Sequence, residues 1–271
     1  MKQNAKLYIQ KNLEKMKKKC AVFTIVKNES YFLPIWIKHY KRYFNNSDIY
    51  VLDHQTNDGS TSNLDVNVVS VVNELAFDHR WLVEVVQSFQ KDLLENYECV
   101  LFAESDEIIY SIDKALDESI NDFINSDFNY IRCKGYEIIQ DLQKEKSLSI
   151  DESIIKNRNY WFDNWMYSKS LLSKVPLQWT WGFHNLASYP NDPTGTFGLT
   201  LCHLHRVDFE LMLERHEERA TKWKLKNDGP VAGYQHRIGD REGVLEYFNK
   251  VIVEGCVIEE IPLEHKNKLE I

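Results

Sequence analysis

Short apolar runs, each followed by polar residues, recur through the first hundred positions of the chain. Four of them, at residues 20–26, 48–53, 66–72 and 99–103, are rich in β-branched or aromatic residues and too short for core helices. Runs of this kind predict buried strands. The first reads CAVFTIV and the last CVLFA. Neither alternates apolar with polar positions, which is typical of strands covered on both faces.

Apolar residues at helical spacing separate these runs. Residues 30–44 and 80–97 place their large apolar side chains mostly three or four positions apart. Ser30 is the expected N-cap of the first helix, and Pro34 falls in its first turn. The resulting order, β-α-β-β-α-β, predicts an α/β fold with a mostly parallel central sheet flanked by helices.

The later part of the chain has a weaker pattern. It predicts a helix at residues 116–124, a strand at 130–133, a helix at 208–223 that Asp208 caps, and a last helix or strand at 243–253. The polar loop at residues 225–243 contains four glycines and is long enough to close over a ligand. Residues from 266 onward should fray.

Three segments follow from this pattern. Residues 1–19 carry seven lysines and one glutamate and form a basic leader helix, residues 20–206 form the main domain, and residues 207–271 form a mainly helical extension. The leader is either a solvated helix or an amphipathic helix that makes peripheral contact with an anionic membrane.

Polar clusters end three of the predicted strands. They are Lys27-Asn28-Glu29, Asp53, and Glu104-Ser105-Asp106-Glu107. In a parallel sheet these strand ends meet at one edge, where α/β proteins bind ligands. Glu104 and Asp106 stand two apart and share a face of extended backbone.

Carboxylates at the edge of an apolar core need a partner. Glu104 and Asp106 have the hard oxygen ligands that suit Mg²⁺ or Mn²⁺, so one interpretation is a metal clamp on a substrate phosphate. The other is an acidic junction between a strand and a loop. Lys27 similarly is either a charge for the same phosphates or an ordinary surface lysine.

Composition narrows the class of protein. The net charge of −8 and the pI of about 5.6 argue against a general nucleic-acid binder, which needs an extended basic face. No apolar run reaches the ~18 residues that span a bilayer. The five cysteines are widely spaced and show neither zinc-finger nor disulfide spacing, which predicts a cytoplasmic protein with reduced thiols.

The order of the motifs resembles a known family. The stretches VKNES and WIKHY (residues 26–40), DIYVLDHQTNDGST (48–61) and ESDE (104–107) are similar to the nucleotide-sugar half of family 2-like glycosyltransferases with the GT-A fold. The resemblance covers roughly residues 20–110 and continues more weakly at CHLHRVDFELMLERHEERA (202–220). There the family tends to place a histidine five residues before the first turn of a helix, and His203 stands five before Asp208.

The resemblance implies roles for individual residues. Glu104 and Asp106 stand where the family binds the metal that bridges the diphosphate, with His203 as the third protein ligand. Asp53 and the turn at Asp58 stand where the family meets the nucleoside. The chain departs from the family pattern at His54 and at Glu104, where the family has aspartates.

The implied activity is transfer of a sugar from a nucleoside-diphosphate sugar, UDP-linked, to a glycan or lipid-linked acceptor with Mn²⁺ or Mg²⁺ as cofactor. The alternative is a catalytically silent binding or scaffold protein with the same fold, for which the two departures are the reason. A two-metal phosphoesterase would need more carboxylate and histidine pairs than this chain clusters.

Histidines and acidic residues in the second half of the chain complete the candidates. His205 shares a strand face with His203 and is an alternative metal ligand, and either could instead join Cys202 in a zinc site. Glu137 and Asp163 lie among aromatic residues, as a catalytic base or an acceptor contact would, although each could be purely structural. The remaining nucleotide-sugar candidates are Asn28, Glu29, Ser105, His184 and Arg237.

A cluster of large aromatic residues follows the same region. Its members belong either to the core or to a platform on which sugars stack, and some to both. They are Trp161, Trp165, Trp179, Trp181 and Phe183.

Overall fold

A computed structural model describes residues 17–73, 78–149, 152–187, 194–224 and 237–271 of the chain. Its strands are β1 (Lys18–Val26), β2 (Ile49–Asp53), β3 (Asn67–Ser70), β4 (Tyr97–Phe102), β5 (Glu107–Ser111), β6 (Tyr130–Arg132), β7 (Lys134–Ile139), β8 (Tyr160–Asp163), β9 (Ser170–Ser173), β10 (Leu199–Arg206) and β11 (Ile258–Glu260). Its helices are α1 (Phe32–Tyr40), α2 (His79–Leu93), α3 (Leu116–Ile124), α4 (Ile154–Asn157), α5 (Phe209–Lys224), α6 (Arg241–Val253) and α7 (Leu263–Leu269).

The first sheet contains the four strands predicted from the N-terminal half. Its order is β3-β2-β1-β4-β9-β6, and the pairs β3-β2, β2-β1 and β1-β4 are parallel. Val26 pairs with Asp53 and Phe23 with Phe102, so β1, β2 and β4 end at the same edge. This arrangement brings together the three polar clusters that follow these strands.

The prediction of a single, mostly parallel central sheet is wrong, although the mixed α/β class is confirmed. β9 pairs antiparallel with both β4 and β6, so the first sheet is only partly parallel. Most of the remaining strands form a second sheet. An apolar run indicates that a strand is buried, but it carries no information on the direction of its neighbour, because that depends on where the connecting chain returns.

The second sheet has the order β11-β8-β7-β10-β5. Strand β10 lies between β7 and the edge strand β5, parallel to β7 and antiparallel to β5. His203 pairs with Glu107 on one side and with Glu137 on the other. Three polar residues therefore form a buried row across three neighbouring strands.

The caps of the helices differ in part from those expected. The N-cap of α1 is Tyr31, without a side-chain hydrogen bond, and not Ser30. Asp78 caps α2, accepting from the backbone N–H groups of Arg80 at 2.9 Å and Trp81 at 3.1 Å. The predicted cap of α5 is confirmed, since Asp208 accepts from the N–H of Leu211 at 3.0 Å.

The C-terminal extension is helical, but it also contributes β11, which pairs antiparallel with β8. The predicted fraying from residue 266 is wrong, because α7 continues to Leu269 and that side chain is fully buried. Most of the leader and most of the loop at residues 225–243 lie outside the described residues. Among the helices of the described ranges, none is long and apolar enough to cross a membrane.

Candidate functional site

A cleft of about 320 Å³ opens at the edge where β1, β2 and β4 end. Its walls come from these strand ends, from β10, from α5 and from the turns before and after β9. Ten of the residues selected from the sequence line it: Lys27, Asn28, Glu29, His54, Glu104, Ser105, Asp106, His184, His203 and His205. The shared edge of the parallel strands accounts for most of this convergence.

The two aspartates of the nucleoside-binding prediction hold the loop after β2. Asp53 accepts from the N–H of Thr56 at 2.8 Å and from the hydroxyl of Thr61 at 3.2 Å. Asp58 is exposed and accepts from the N–H of Ser60 at 2.8 Å. Neither lines the cleft, so any contact with a nucleoside would be made at the margin of the site.

Glu137 is fully buried behind His203 and does not line the cleft. Its two carboxylate oxygens accept from Arg206 Nη1 at 3.0 and 2.9 Å. Burial alone would raise the pKa of Glu137, but Arg206 and His203 together lower it below its usual value. A carboxylate held in this way is ionised and positions its neighbours.

Asp163 and Arg237 also lie away from the cleft lining. Asp163 is exposed and lies 3.2 Å from the ammonium group of Lys134. Arg237 is exposed as well. The structure therefore brings neither residue to the centre of the candidate site.

Three cationic residues in the cleft were missed by the sequence analysis: Lys169, Arg215 and Arg219. Lys169 is 2% exposed, and its Nζ lies 2.6 Å from both Glu104 and Glu107. Burial alone would lower the pKa of Lys169, but the two carboxylates raise it above its usual value. Lys169 therefore stays charged in the wall of the cleft.

Arg215 connects α5 to the ends of two strands. Its Nη2 lies 3.0 Å from Glu29 and 3.1 Å from Asp106. Burial would raise the pKa of Asp106, but Arg215 and its other charged neighbours lower it to about 2. Asp106 is therefore ionised at neutral pH.

Arg219 stands one helical turn after Arg215 and has weaker pairing. Its Nη2 lies 3.9 Å from Glu29. Burial and the neighbouring charge of Arg215 lower the pKa of Arg219. A guanidinium group at the wall of a cleft whose nearest carboxylate is this far away is well suited to bind an anion. The four-residue spacing of these arginines on a predicted helix was the available sequence signal.

The predicted metal ligands are only partly brought together. Glu104 is paired with Lys169, and Nε2 of His205 lies 3.3 Å from Nε2 of His216. Asp106 lies next to β10 at His203, because the backbone N–H of Leu204 donates to the carbonyl of Asp106 at 2.9 Å. Within the described parts of the chain, no three His, Cys, Asp or Glu residues form a preassembled metal site.

The arrangement is compatible with one mode of metal binding. Mg²⁺ is often held by one or two protein carboxylates, with substrate phosphates and water completing its shell. Asp106, with His203 beside it, fits such a site. To free Asp106 for a metal ion, Arg215 would have to give up its contact with that carboxylate and keep the one with Glu29. A three-ligand protein cage that includes Glu104 does not fit the observed pairing.

His203 is held on two sides. Its ring stacks on Tyr167 with a centroid distance of 4.0 Å and an interplanar angle of 17°. Its Nδ1 lies 3.4 Å from Glu137, longer than a well-formed hydrogen bond. Burial would lower the pKa of His203, but Glu137 raises it.

An aromatic pair lines another part of the cleft. His54 lies 4.5 Å from Trp81, measured between ring centroids, with an angle of 41° between the planes. His54 is the position where the chain departs from the family pattern, and Trp81 was not selected from the sequence. Trp81 is the more exposed of the two rings, and the buried His54 packs against it close to the loop that Asp53 holds.

Comparison with known proteins adds little to this geometry. No protein-family model matches the chain, and no curated protein matches it. The apo structure of the WbbM bifunctional glycosyltransferase is similar over 47% of this chain and 24% of that chain, with 11% sequence identity and a TM-score of 0.28. The matched part is about a quarter of that larger chain. Similarity at this level supports no conclusion about function. The functional proposal therefore rests on the residues of the cleft.

Proposed function

We propose that this protein is a glycosyltransferase of the GT-A type that binds a nucleoside-diphosphate sugar in the cleft. The observation that carries the proposal is the meeting of acidic, basic and aromatic side chains where three parallel strands end. A nucleotide sugar needs all three: cations for the diphosphate, aromatic surface for the base and carboxylates for hydroxyl groups or a metal.

The diphosphate is proposed to lie against α5. Arg215 and Arg219 present guanidinium groups there, and Lys27 lines the same cleft in the segment after β1, whose neighbours Asn28 and Glu29 contact α5. Arginine donates in a planar fork that matches phosphate oxygens, so the two arginines can bind and orient the leaving group. Negative charge develops on that group as the sugar leaves, and fixed cations stabilise it.

Asp106 and His203 are the residues proposed to hold Mn²⁺ or Mg²⁺. The ion would supply additional positive charge to the departing diphosphate. The chain's own contribution is to keep Asp106 ionised through Arg215 and to hold the ring of His203 between Tyr167 and Glu137. Glu137 thereby has a positioning role in this proposal in place of the catalytic one predicted from the sequence.

The nucleoside is proposed to lie beside the loop after β2. The ring of Trp81, supported by His54, offers a stacking surface for the base. Asp53 fixes the loop through Thr56 and Thr61, and a hydrogen bond that it accepts from a ribose hydroxyl or a base N–H would lie at the margin of the cleft. The sequence resemblance favours a UDP-linked donor.

A panel of UDP-, GDP- and dTDP-sugars, incubated with Mn²⁺ in the presence and absence of a chelator, tests the proposal. We expect release of free nucleoside diphosphate from at least one donor, with slow transfer to water when no acceptor is supplied. Nucleotide binding without turnover on any donor or acceptor would instead support the silent binding protein. Absence of both binding and turnover would refute the proposal.

A further inference from the structure

Two exposed indoles stand at the rim of the cleft. Of the aromatic cluster selected from the sequence, Trp161, Trp179 and Phe183 are buried, whereas Trp165 is 67% exposed and Trp181 is 45% exposed. Single exposed apolar side chains are common, but two indoles exposed beside the same cleft form the kind of patch that marks a binding site. We propose that Trp165 and Trp181 form an acceptor platform, on which a pyranose ring of a carbohydrate acceptor stacks. This inference rests on the proposed function.

The platform is continuous with the cleft. Trp165 begins a short 3₁₀ turn whose next two residues, Met166 and Tyr167, line the cleft. Trp181 begins a second such turn, whose next residues, Gly182 and Phe183, line it as well. An acceptor lying on the two indoles is therefore next to the cleft in which the nucleotide sugar is proposed to bind.

The two turns are fastened to each other. Nδ1 of His184 donates to the carbonyl of Met166 at 2.7 Å. The guanidinium of Arg132 donates to the carbonyl of Ser168, after the first turn, and to that of His184 at 3.0 Å, after the second. One direct hydrogen bond and two through Arg132 hold the backbones of the two turns together, so less conformational entropy is lost when a ligand binds to both.

Glycines allow this close assembly. A Cβ at Gly135 would lie 2.2 Å from the backbone of Tyr167, so only glycine lets β7 approach the first turn. Gly182 has a φ of +73°, and a Cβ there would lie 2.8 Å from the ring of His184. The backbone is thus shaped to present Trp165 and Trp181 outward at fixed positions.

The surroundings of the platform favour a sugar over a membrane. The exposed carboxylate of Asp163 stands two residues before Trp165 and is paired with Lys134 at 3.2 Å. Such a pair offers both a donor and an acceptor to sugar hydroxyls and adds no net positive charge that would attract anionic lipids. Flat indoles with polar neighbours match a pyranose, which has apolar C–H faces and a polar rim.

Binding of methyl glycosides tests the platform without any donor. Methyl glycosides of glucose, galactose, mannose and N-acetylglucosamine would be titrated by ligand-observed NMR, with the open-chain polyol sorbitol as a non-stacking probe. We expect one or more glycosides to bind and sorbitol not to bind. Trp165→Ala and Trp181→Ala should each weaken the binding roughly 3- to 10-fold. Trp165→Phe should bind the glycoside nearly as well as the wild type, and Trp165→Leu should bind it as weakly as Trp165→Ala.

The matched control is Phe128→Ala, because Phe128 is an aromatic residue that is 42% exposed and does not line the cleft. It should leave glycoside binding unchanged. UDP binding, measured by calorimetry, should be the same in all these variants. In turnover assays the Michaelis constant for the glycoside should rise in the two tryptophan variants, while the rate of donor hydrolysis in water stays the same.

Two results would overturn the inference while leaving the proposed function intact. One is equal glycoside binding by Trp165→Ala, Trp181→Ala and Phe128→Ala in a protein that hydrolyses a nucleotide sugar. The other is a wild-type protein that binds vesicles of phosphatidylethanolamine and phosphatidylglycerol and tryptophan variants that do not, while glycoside binding is unchanged. That result would make the patch a membrane contact. Conversely, glycoside binding that depends on both tryptophans, without any nucleotide binding, would support the platform and refute the proposed function.

Discussion

Replacing Lys169 by methionine should destabilise the protein strongly. The ammonium group lies 2.6 Å from both Glu104 and Glu107. The Lys169 side chain is 2% exposed and that of Glu107 is 0% exposed. Methionine keeps the length and the apolar stem of the side chain, so the substitution removes the charge while leaving little cavity.

The expected loss follows from the burial of the partner that remains. Breaking a buried ion pair by removing one member costs about 3–5 kcal/mol, because the other charge is left without compensation. Burial raises the pKa of Glu107 even with Lys169 present. Without the lysine that pKa rises further, and a carboxylate with a raised folded-state pKa loses stability as the pH rises through it. The loss of unfolding free energy in Lys169→Met should therefore be larger at pH 8 than at pH 5.

Urea unfolding of Lys169→Met, Glu107→Gln and the double variant at both pH values measures this effect. The double variant should recover part of the loss, because it leaves no buried charge at position 107. Lys41→Met is the matched control, since its partner Asp65 is 67% exposed and such surface pairs contribute about 0–1 kcal/mol. The reasoning is refuted if Lys169→Met loses no more than Lys41→Met, or if its deficit does not depend on pH.

Three further predictions concern the site and the core. Asp106→Ala should abolish turnover and metal-dependent nucleotide binding with little change in the circular dichroism spectrum; wild-type turnover would remove Asp106 from the proposed metal site. Asp53→Ala should weaken nucleotide binding roughly 10- to 100-fold in calorimetry without changing metal affinity, because a lost charged acceptor costs about 1.5–3 kcal/mol; unchanged nucleotide affinity would leave Asp53 only its loop contacts. His39, whose Nε2 donates to the carbonyl of Ile109 at 2.8 Å, has its pKa lowered by burial to about 4. The unfolded chain takes up this proton near pH 6.5, so stability should be full above pH 6.5 and fall by about 3 kcal/mol as the pH drops to 4; an equal pH dependence in His39→Gln would contradict this.

The first half of the fold was predictable because its signals are local. The runs that became β1, β2 and β4 are continuous and apolar, and the stripe of α2 repeats within 15 residues. The rule that ligands bind where parallel strands end then located the cleft residues. The N-cap of α1 was misplaced by one residue, since Ser30 and Tyr31 both precede the apolar stripe.

The charge balance of the cleft was not predictable in the same way. Lys169 is 65 residues from Glu104, and Arg215 is 186 residues from Glu29. Such pairs form only after the sheets and α5 have assembled, and no periodic pattern in the sequence records them. A carboxylate that the sequence presents as a free metal ligand can therefore be paired with a distant cation in the fold.

The position of β10 has a consequence for how the chain folds during synthesis. β10 lies between β5 and β7 but is the last of the three to be made, so these two strands wait with open edges that are prone to wrong pairing. Each waiting strand carries a glutamate, Glu107 or Glu137, at the position where His203 later pairs. Like charges directly opposite each other disfavour strand pairing, so β5 and β7 would repel each other at these positions. When β10 is added, Arg206 pairs with Glu137 at 2.9 Å and His203 lies between the two glutamates, so the charge that protected the open edge of β7 then favours the correct strand.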